Sequence, residues 1–316
     1  MSADDVTSTS AIPREASRRW VIAVVGPTAS GKSALGLALA ERYHGEIINC
    51  DSTAVYRGFD IGTDKLSVEQ RRGIPHHLVD IADPRQVYTA AQFARDASQA
   101  IAEIQTRGAL PIIVGGTGLY YRALTRGIFP GGEANEEMRE RLNRIADRRG
   151  NPHLQRLLRR VDPIAAGRIM PQDRKRLVRA LEVFFTTGMS LTSHFAQTVS
   201  PIADCEVLPL ALRIPPALTA ERVARRVDEQ FTRGIVDEVA QLLSAGLSPD
   251  VRSFGGLVYR QVMEMRRGVR DEAATRALIA QENRRYARRQ LIWFRKEPNL
   301  TWLDGPGENA ETLQRA

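Results

Sequence analysis

The sequence predicts an α/β fold, a P-loop NTPase-like parallel sheet core flanked by helices, with a helical insertion domain. Three observations carry the prediction. Val21-Ile22-Ala23-Val24-Val25 is a short apolar run that leads directly into Gly26-Pro27-Thr28-Ala29-Ser30-Gly31-Lys32-Ser33 and then into the apolar stretch from Ala34 to Ala40. Further strand-like runs at 45–50, 110–114 and 207–212 are set apart by helix-favouring segments, the alternation a parallel sheet needs for its crossovers. Between about 129 and 200 the strand pattern disappears and charged, helix-favouring residues dominate. The expected organisation is a disordered leader at 1–19, a first core part at 20–128, the insertion at 129–200, and a core continuation with basic helices at 201–316.

The eight residues 26–33 satisfy G-x-x-x-x-G-K-[ST]. Glycines at those positions let backbone N–H groups wrap an anionic oxygen cluster at a helix N-terminus. Lys32 adds a point charge, and the Ser33 hydroxyl is a candidate ligand for Mg²⁺. The loop specifies a polyphosphate but not the fate of that phosphate.

Composition sets limits. A chain of 316 residues with 43% hydrophobic content has ample material for a core, and it has no run of about 18 apolar residues. Residues 1–19 lack the apolar segment of a secretory signal. Cys50 and Cys205 have no metal-ligand spacing and suit a reducing cytoplasm. The net charge of +8 points to an anionic partner, nucleic acid first.

Taken in order, residues 45–50 read as a second strand that delivers Asp51-Ser52 to its carboxyl end, where ligands of open α/β sheets bind. Position alone leaves Asp51 open between a catalytic or Mg²⁺-binding carboxylate and a cap for the next turn. The Gly-punctuated segment 55–63 is a functional-loop candidate. Adjacent His76 and His77 have the wrong spacing for one metal and read as packing or hydrogen-bonding residues. Residues 89–107 have helical spacing and stop at Gly108; the strand 110–114 then turns out through Gly115-Gly116-Thr117-Gly118, placing Thr117 beside the cleft. On the helix around 174–185, Leu177, Ala180, Leu181 and Phe184 share one face and Lys175 and Arg179 another. Pro209 marks the run 207–212 as an edge or bulge. Helices are expected from Ala220 to Leu243 and again from about Asp271, the last carrying Arg284, Arg285, Arg288 and Arg289 among Tyr286 and Trp293, a pattern suited to phosphate pairing and stacking.

Six ordered blocks then resemble the tRNA dimethylallyltransferase family: GPTASGKS, DSTAVYRGFDIGT at 51–63, PHHLVDI at 75–81, LPIIVGGTGLYYRAL at 110–124, DRKRLVRALEVF at 173–184 and YARRQLIWFR at 286–295. The resemblance implies that the loop holds the pyrophosphate of dimethylallyl diphosphate with Mg²⁺, and that the partner is the anticodon stem-loop of tRNA. It implies Asp51 as the base toward an adenine N6 amine and Thr117 as a hydroxyl in the reaction channel. It implies tRNA contact at Ser52, Thr53 and Ala54, at Arg139, at Lys175, Arg176, Leu177, Val178 and Arg179, and at Arg284, Arg288, Arg289 and Gln290. A cytoplasmic monomer without membrane attachment is expected. Three departures stand out: Ala54 where Gln or Leu is usual, Val258 in place of a glycine within 255–261, and Asp64 and Leu66 where Ala and Pro are usual. The rival reading is a P-loop small-molecule or nucleoside kinase.

Overall fold

The computed structural model describes residues 19–129 and 135–316, so the expected leader lies, apart from Arg19, outside the described residues. Six strands form one sheet in the order β3-β2-β4-β1-β5-β6: β1 Arg19–Val25, β2 Gly45–Asn49, β3 His76–His77, β4 Leu110–Gly115, β5 Cys205–Arg213 and β6 Thr301–Asp304. Every pairing is parallel, with Ile22 opposite Ile112 on one side and Leu208 on the other. Val21 to Val25 are all buried in β1, which explains a continuous apolar run in place of an alternating one.

Parallel neighbours require crossovers, and helices supply most of them. α1 (Lys32–Tyr43) leads from β1 toward β2, α2 (Ala90–Thr106) leads toward β4, and α3 (Gly118–Arg126) follows β4. α2 starts on a reciprocal cap, Gln92 N–H donating to Thr89 Oγ1 (3.2 Å) and Thr89 N–H to Gln92 Oε1 (2.8 Å). Its Phe93, Ala97, Ile101 and Ile104 pack into the core beside the sheet.

The chain then leaves the sheet for α4 (Glu136–Arg149), α5 (Asn151–Val161), α6 (Pro163–Arg168), α7 (Arg174–Thr187) and α8 (Leu191–Ala196). Leu142, Leu154, Leu158, Leu177 and Leu181 give these helices a core of their own. After β5 come α9 (Pro216–Thr232), α10 (Ile235–Ser244), α11 (Leu257–Arg266), α12 (Glu272–Phe294) and, past β6, α13 (Ala310–Arg315). Val227, Val239, Val262 and Ile279 from this group close over Val55, Tyr56 and Phe59 of the loop after β2. No helix among the described residues is long and apolar enough to cross a membrane.

The structure corrects several local expectations. The helix expected from Ala220 to Leu243 begins at Pro216 and breaks at Gly234, whose φ of 89° ends one helix and opens the next. α11 forms between the two helices expected there; Val258, standing in place of a glycine, lies in this helix and is buried against the loop core. Strand β5 is interior. Pro209 nonetheless sits one residue before the pairing with β6 starts at Leu210, so on that side the strand is still an edge.

Candidate active site

The carboxyl ends of β1, β2 and β4 bring the phosphate loop, Asp51 and Thr117 to one crevice. Their closeness depends on Gly115: a Cβ there would lie 2.1 Å from the Cys50 carbonyl oxygen, so only glycine lets the two strand ends meet. Thr117 N–H then donates to Cys50 O (3.2 Å), and Ser52 N–H donates to Thr117 Oγ1 (3.0 Å). Asp51 and Thr117, from different strands, are thereby fixed side by side.

Within the loop, Ser30 Oγ donates to Pro27 O (2.8 Å), and Lys32 Nζ donates to the same carbonyl (2.5 Å). Gln290 of α12 braces the loop from outside: its Oε1 accepts from Thr28 N–H (2.8 Å) and its Nε2 donates to Gly116 O (2.9 Å). Burial lowers the Lys32 ammonium to about 7, with Arg226 adding to the effect and Asp51 opposing it.

Asp51 performs the capping job and leaves room for the other. Its Oδ1 accepts from Thr53 N–H (2.8 Å), Thr53 Oγ1 (2.6 Å) and Ala54 N–H (3.3 Å). Oδ2 accepts no hydrogen bond from the described residues. The two readings of this carboxylate therefore use different oxygens.

Two cavities meet at this point. One, of 380 Å³, is lined by Lys32, Ser33, Asp51, Arg222 and Arg226 among others. The second, of 440 Å³, is lined by Ser52, Thr53, Gly256, Arg260 and Arg289 among others. Thr28, Asp51, Asp64, Arg226 and Tyr286 border both. A reactant seated on the phosphate loop and a second one entering from the α12 side would confront each other across Asp51.

The model of the IPP transferase family matches residues 54–297. The chain belongs to that family. It is 46% identical to the tRNA dimethylallyltransferase of Geobacter metallireducens, covering 93% of this chain and 96% of that one, and 42% identical to that of Koribacter versatilis, covering 93% and 95%. Among solved structures it is similar to the tRNA isopentenylpyrophosphate transferase of Bacillus halodurans, with 36% identity, TM-score 0.67 and coverage of 91% and 90%. A eukaryotic dimethylallyltransferase acting on tRNA gives TM-score 0.75 at 26% identity, covering 90% of this chain and 74% of that one.

Two arginines of this chain join the site from a distant helix. Arg226 Nη1 donates to Thr28 Oγ1 (2.6 Å), while its Nε and Nη2 pair with Asp64 Oδ2. Arg222, one turn earlier on α9, pairs with Glu308 (2.5 Å). Their i, i+4 spacing is visible in the sequence, but nothing local ties α9 to a loop nearly two hundred residues earlier. Burial pushes the Asp64 carboxyl upward, with the Arg226 guanidinium working against it.

The residues expected at the RNA are placed unevenly. Lys175 and Arg176 are exposed, and Arg139 and Arg179 are partly so. Arg284, Arg288 and Arg289 are exposed on α12, with the Arg289 guanidinium 5.6 Å from the Tyr286 ring centre. Four of them have side chains turned inward. Leu177 and Val178 pack into the core of the α4–α8 group, and Gln290 commits its amide to the phosphate loop, so these side chains are not offered outward. Ala54 is buried and borders the loop cavity, where it has only a methyl group to offer.

A magnesium site is consistent with the residues present. Ser33 Oγ lies in the first turn of α1, is exposed, forms no hydrogen bond with the described residues, and shares a cavity with Asp51. No cluster of three or more His, Cys, Asp or Glu residues forms a protein cage among the described residues. One hydroxyl plus substrate phosphate is the sparse donor set that Mg²⁺ commonly takes.

Proposed function

We propose that this chain transfers a dimethylallyl group from dimethylallyl diphosphate to the N6 amine of the adenosine 3′ of the anticodon in tRNA, releasing pyrophosphate. The observation that supports this most directly is the junction of two cavities at Asp51, one floored by the phosphate loop and the other bordered by basic α12. Lys32, the loop N–H groups and Arg226 hold the diphosphate and stabilise the charge that grows as the allylic C–O bond breaks. Mg²⁺ held at Ser33 would supply further charge neutralisation on the phosphate oxygens. As the C–N bond forms, Asp51 Oδ2 takes the N6 proton while Oδ1 keeps the carboxylate in place. The adenine must leave its stack to reach this carboxylate, at a cost of a few kcal/mol that interactions in the second cavity offset. The free thiols Cys50 and Cys205 and the family membership support action in the cytoplasm, and we assign the enzyme as a monomer working on the anticodon stem-loop.

The test is to incubate the protein with dimethylallyl diphosphate, Mg²⁺ and unmodified tRNA, then measure pyrophosphate and analyse the nucleosides by mass. One pyrophosphate released per five-carbon unit gained on adenosine is the expected result. Phosphorylation of a small acceptor by ATP, with unchanged tRNA, would return the kinase reading.

A further inference from the structure

Arg226 reaches the phosphate loop through Thr28, yet it is not a bare cation. Two of its N–H groups are engaged by a single oxygen, Asp64 Oδ2, which also accepts from Gln230 Nε2 (2.7 Å). Asp64 and Arg226 border the same cavity as Lys32 and Ser33, so an anion seated on the loop shares that space with the Asp64 carboxylate. Asp64 is held there by the backbone: it adopts φ 53°, a left-handed conformation that few non-glycine residues take, fixed by its N–H donating to Ile61 O (3.1 Å). An acid so placed does two opposed things. It orients the arginine toward Thr28, and it cancels part of the attraction that arginine has for a second anion.

We propose that Asp64 weakens the diphosphate site in favour of turnover, holding Arg226 in position while competing with the bound anion for its charge, so that pyrophosphate leaves after transfer. This rests on the reading of the loop as a diphosphate site. Release matters because the product keeps every phosphate interaction of the substrate and sheds only the allylic group. A site with Lys32, Arg226, loop N–H groups and Mg²⁺ all unopposed would hold it strongly.

Asp64→Asn isolates the charge. Asn is among the residues that tolerate a left-handed backbone, and its side-chain oxygen at the Oδ2 position can still accept from Arg226 and Gln230. Asp64→Gly, equally free at this φ, removes the side chain altogether. Titration with magnesium pyrophosphate should show about tenfold tighter binding to Asp64→Asn than to wild type, the size expected for relieving one like charge near the anion. In steady state the KM for dimethylallyl diphosphate should fall and kcat should fall with it, and the dissociation of pyrophosphate after a single turnover should be slower than in wild type. Asp64→Asn should melt close to wild type, whereas Asp64→Gly, which leaves Arg226 and Gln230 without their shared acceptor, should melt lower and gain less in pyrophosphate affinity. Equal or weaker pyrophosphate binding by Asp64→Asn overturns the proposal, weaker binding making Asp64 a support for Arg226 alone. Lys32→Ala separates this from the underlying reading. If wild type binds pyrophosphate no better than Lys32→Ala, the diphosphate site and this inference both fail; if it binds better but Asp64→Asn has no effect, only this inference fails.

Discussion

The basic residues of α7 and those of α12 read alike in the sequence, but the fold treats them differently. On the α7 side, Arg139 Nε and Arg179 Nη1 each lie 3.0 Å from the carboxylate of Glu182, whose side chain is 1% exposed, and Arg176 pairs with Asp173. On α12, Arg284, Arg285, Arg288 and Arg289 have no ion pair among the described residues. Arg139 and Arg179 form a knot of charge tied to a buried acid, with Lys175 beside them exposed and without an ion pair among the described residues; the α12 group is a row of cations open to solvent. Counting Lys and Arg therefore overstates the field at α7, because a paired arginine has already given most of its charge to its partner.

The largest expected effect lies outside both groups and tests whether chemistry is separable from either. Asp51→Asn should transfer the prenyl group at least about a hundredfold more slowly, since it removes the proton acceptor. It should melt close to wild type, because Asn also caps, and RNA affinity should be unchanged. A near-normal single-turnover rate would place the base elsewhere.

Next in size is the open row. Replacing Arg284, Arg288 and Arg289 together by Gln should flatten the log-log salt dependence of tRNA binding by roughly 0.7 to 0.9 for each phosphate no longer neutralised. A slope equal to wild type would make α12 a solvated face and invert the comparison.

The knot should respond to acid instead. Burial disfavours the Glu182 carboxylate, but Arg179, Arg139 and the Asn135 N–H outweigh it and hold its pKa below the usual glutamate range. A depressed carboxylate contributes stability that is present above the unfolded-state pKa and lost as pH falls through the folded one. Glu182→Gln should therefore lower the melting temperature at neutral pH, and the gap from wild type should close on acidification, as followed by circular dichroism across pH. A gap that stays constant with pH would mean that the packing of Glu182, and not its charge, matters.

The smallest effect is expected from Arg179→Gln. With Glu182 still paired to Arg139, the net change in available charge is slight, and the salt slope should flatten by less than the increment of a single phosphate. Flattening by the whole increment would show that RNA draws Arg179 away from its acid.

How much of this is legible depends on sequence distance. The phosphate loop, Asp51 and Thr117 sit at strand ends, and strand ends are set by local apolar runs, so their convergence follows from the sheet rule alone. Arg226 joins Thr28 across 198 positions, and no local pattern encodes that hydrogen bond. Gln290 reads as one more polar residue in a basic block; only the packed helix shows its amide reaching two backbone groups. α11 is hidden because Val258, Tyr259, Gln261 and Val262 are all buried, which blurs the one-sided pattern of a surface helix. The departure at Asp64 is visible in the sequence, but its meaning depends on α9.

The brace from Gln290 also bears on how the protein is made. During synthesis the phosphate loop emerges early, but the side chain that receives the Thr28 N–H is 262 residues downstream. Strand β1 waits in the same way for β5, whose Cys205 pairs with Arg19. In between, the ribosome delivers α4 to α8, which carry their own core and pack at short sequence separation, the kind of structure that forms fastest. A nascent chain halted before α12 thus has every residue of the phosphate motif and lacks the brace that finishes it. Capture of stalled chains on immobilised pyrophosphate should switch on only once Gln290 has cleared the exit tunnel, which makes anion binding a report on completed synthesis.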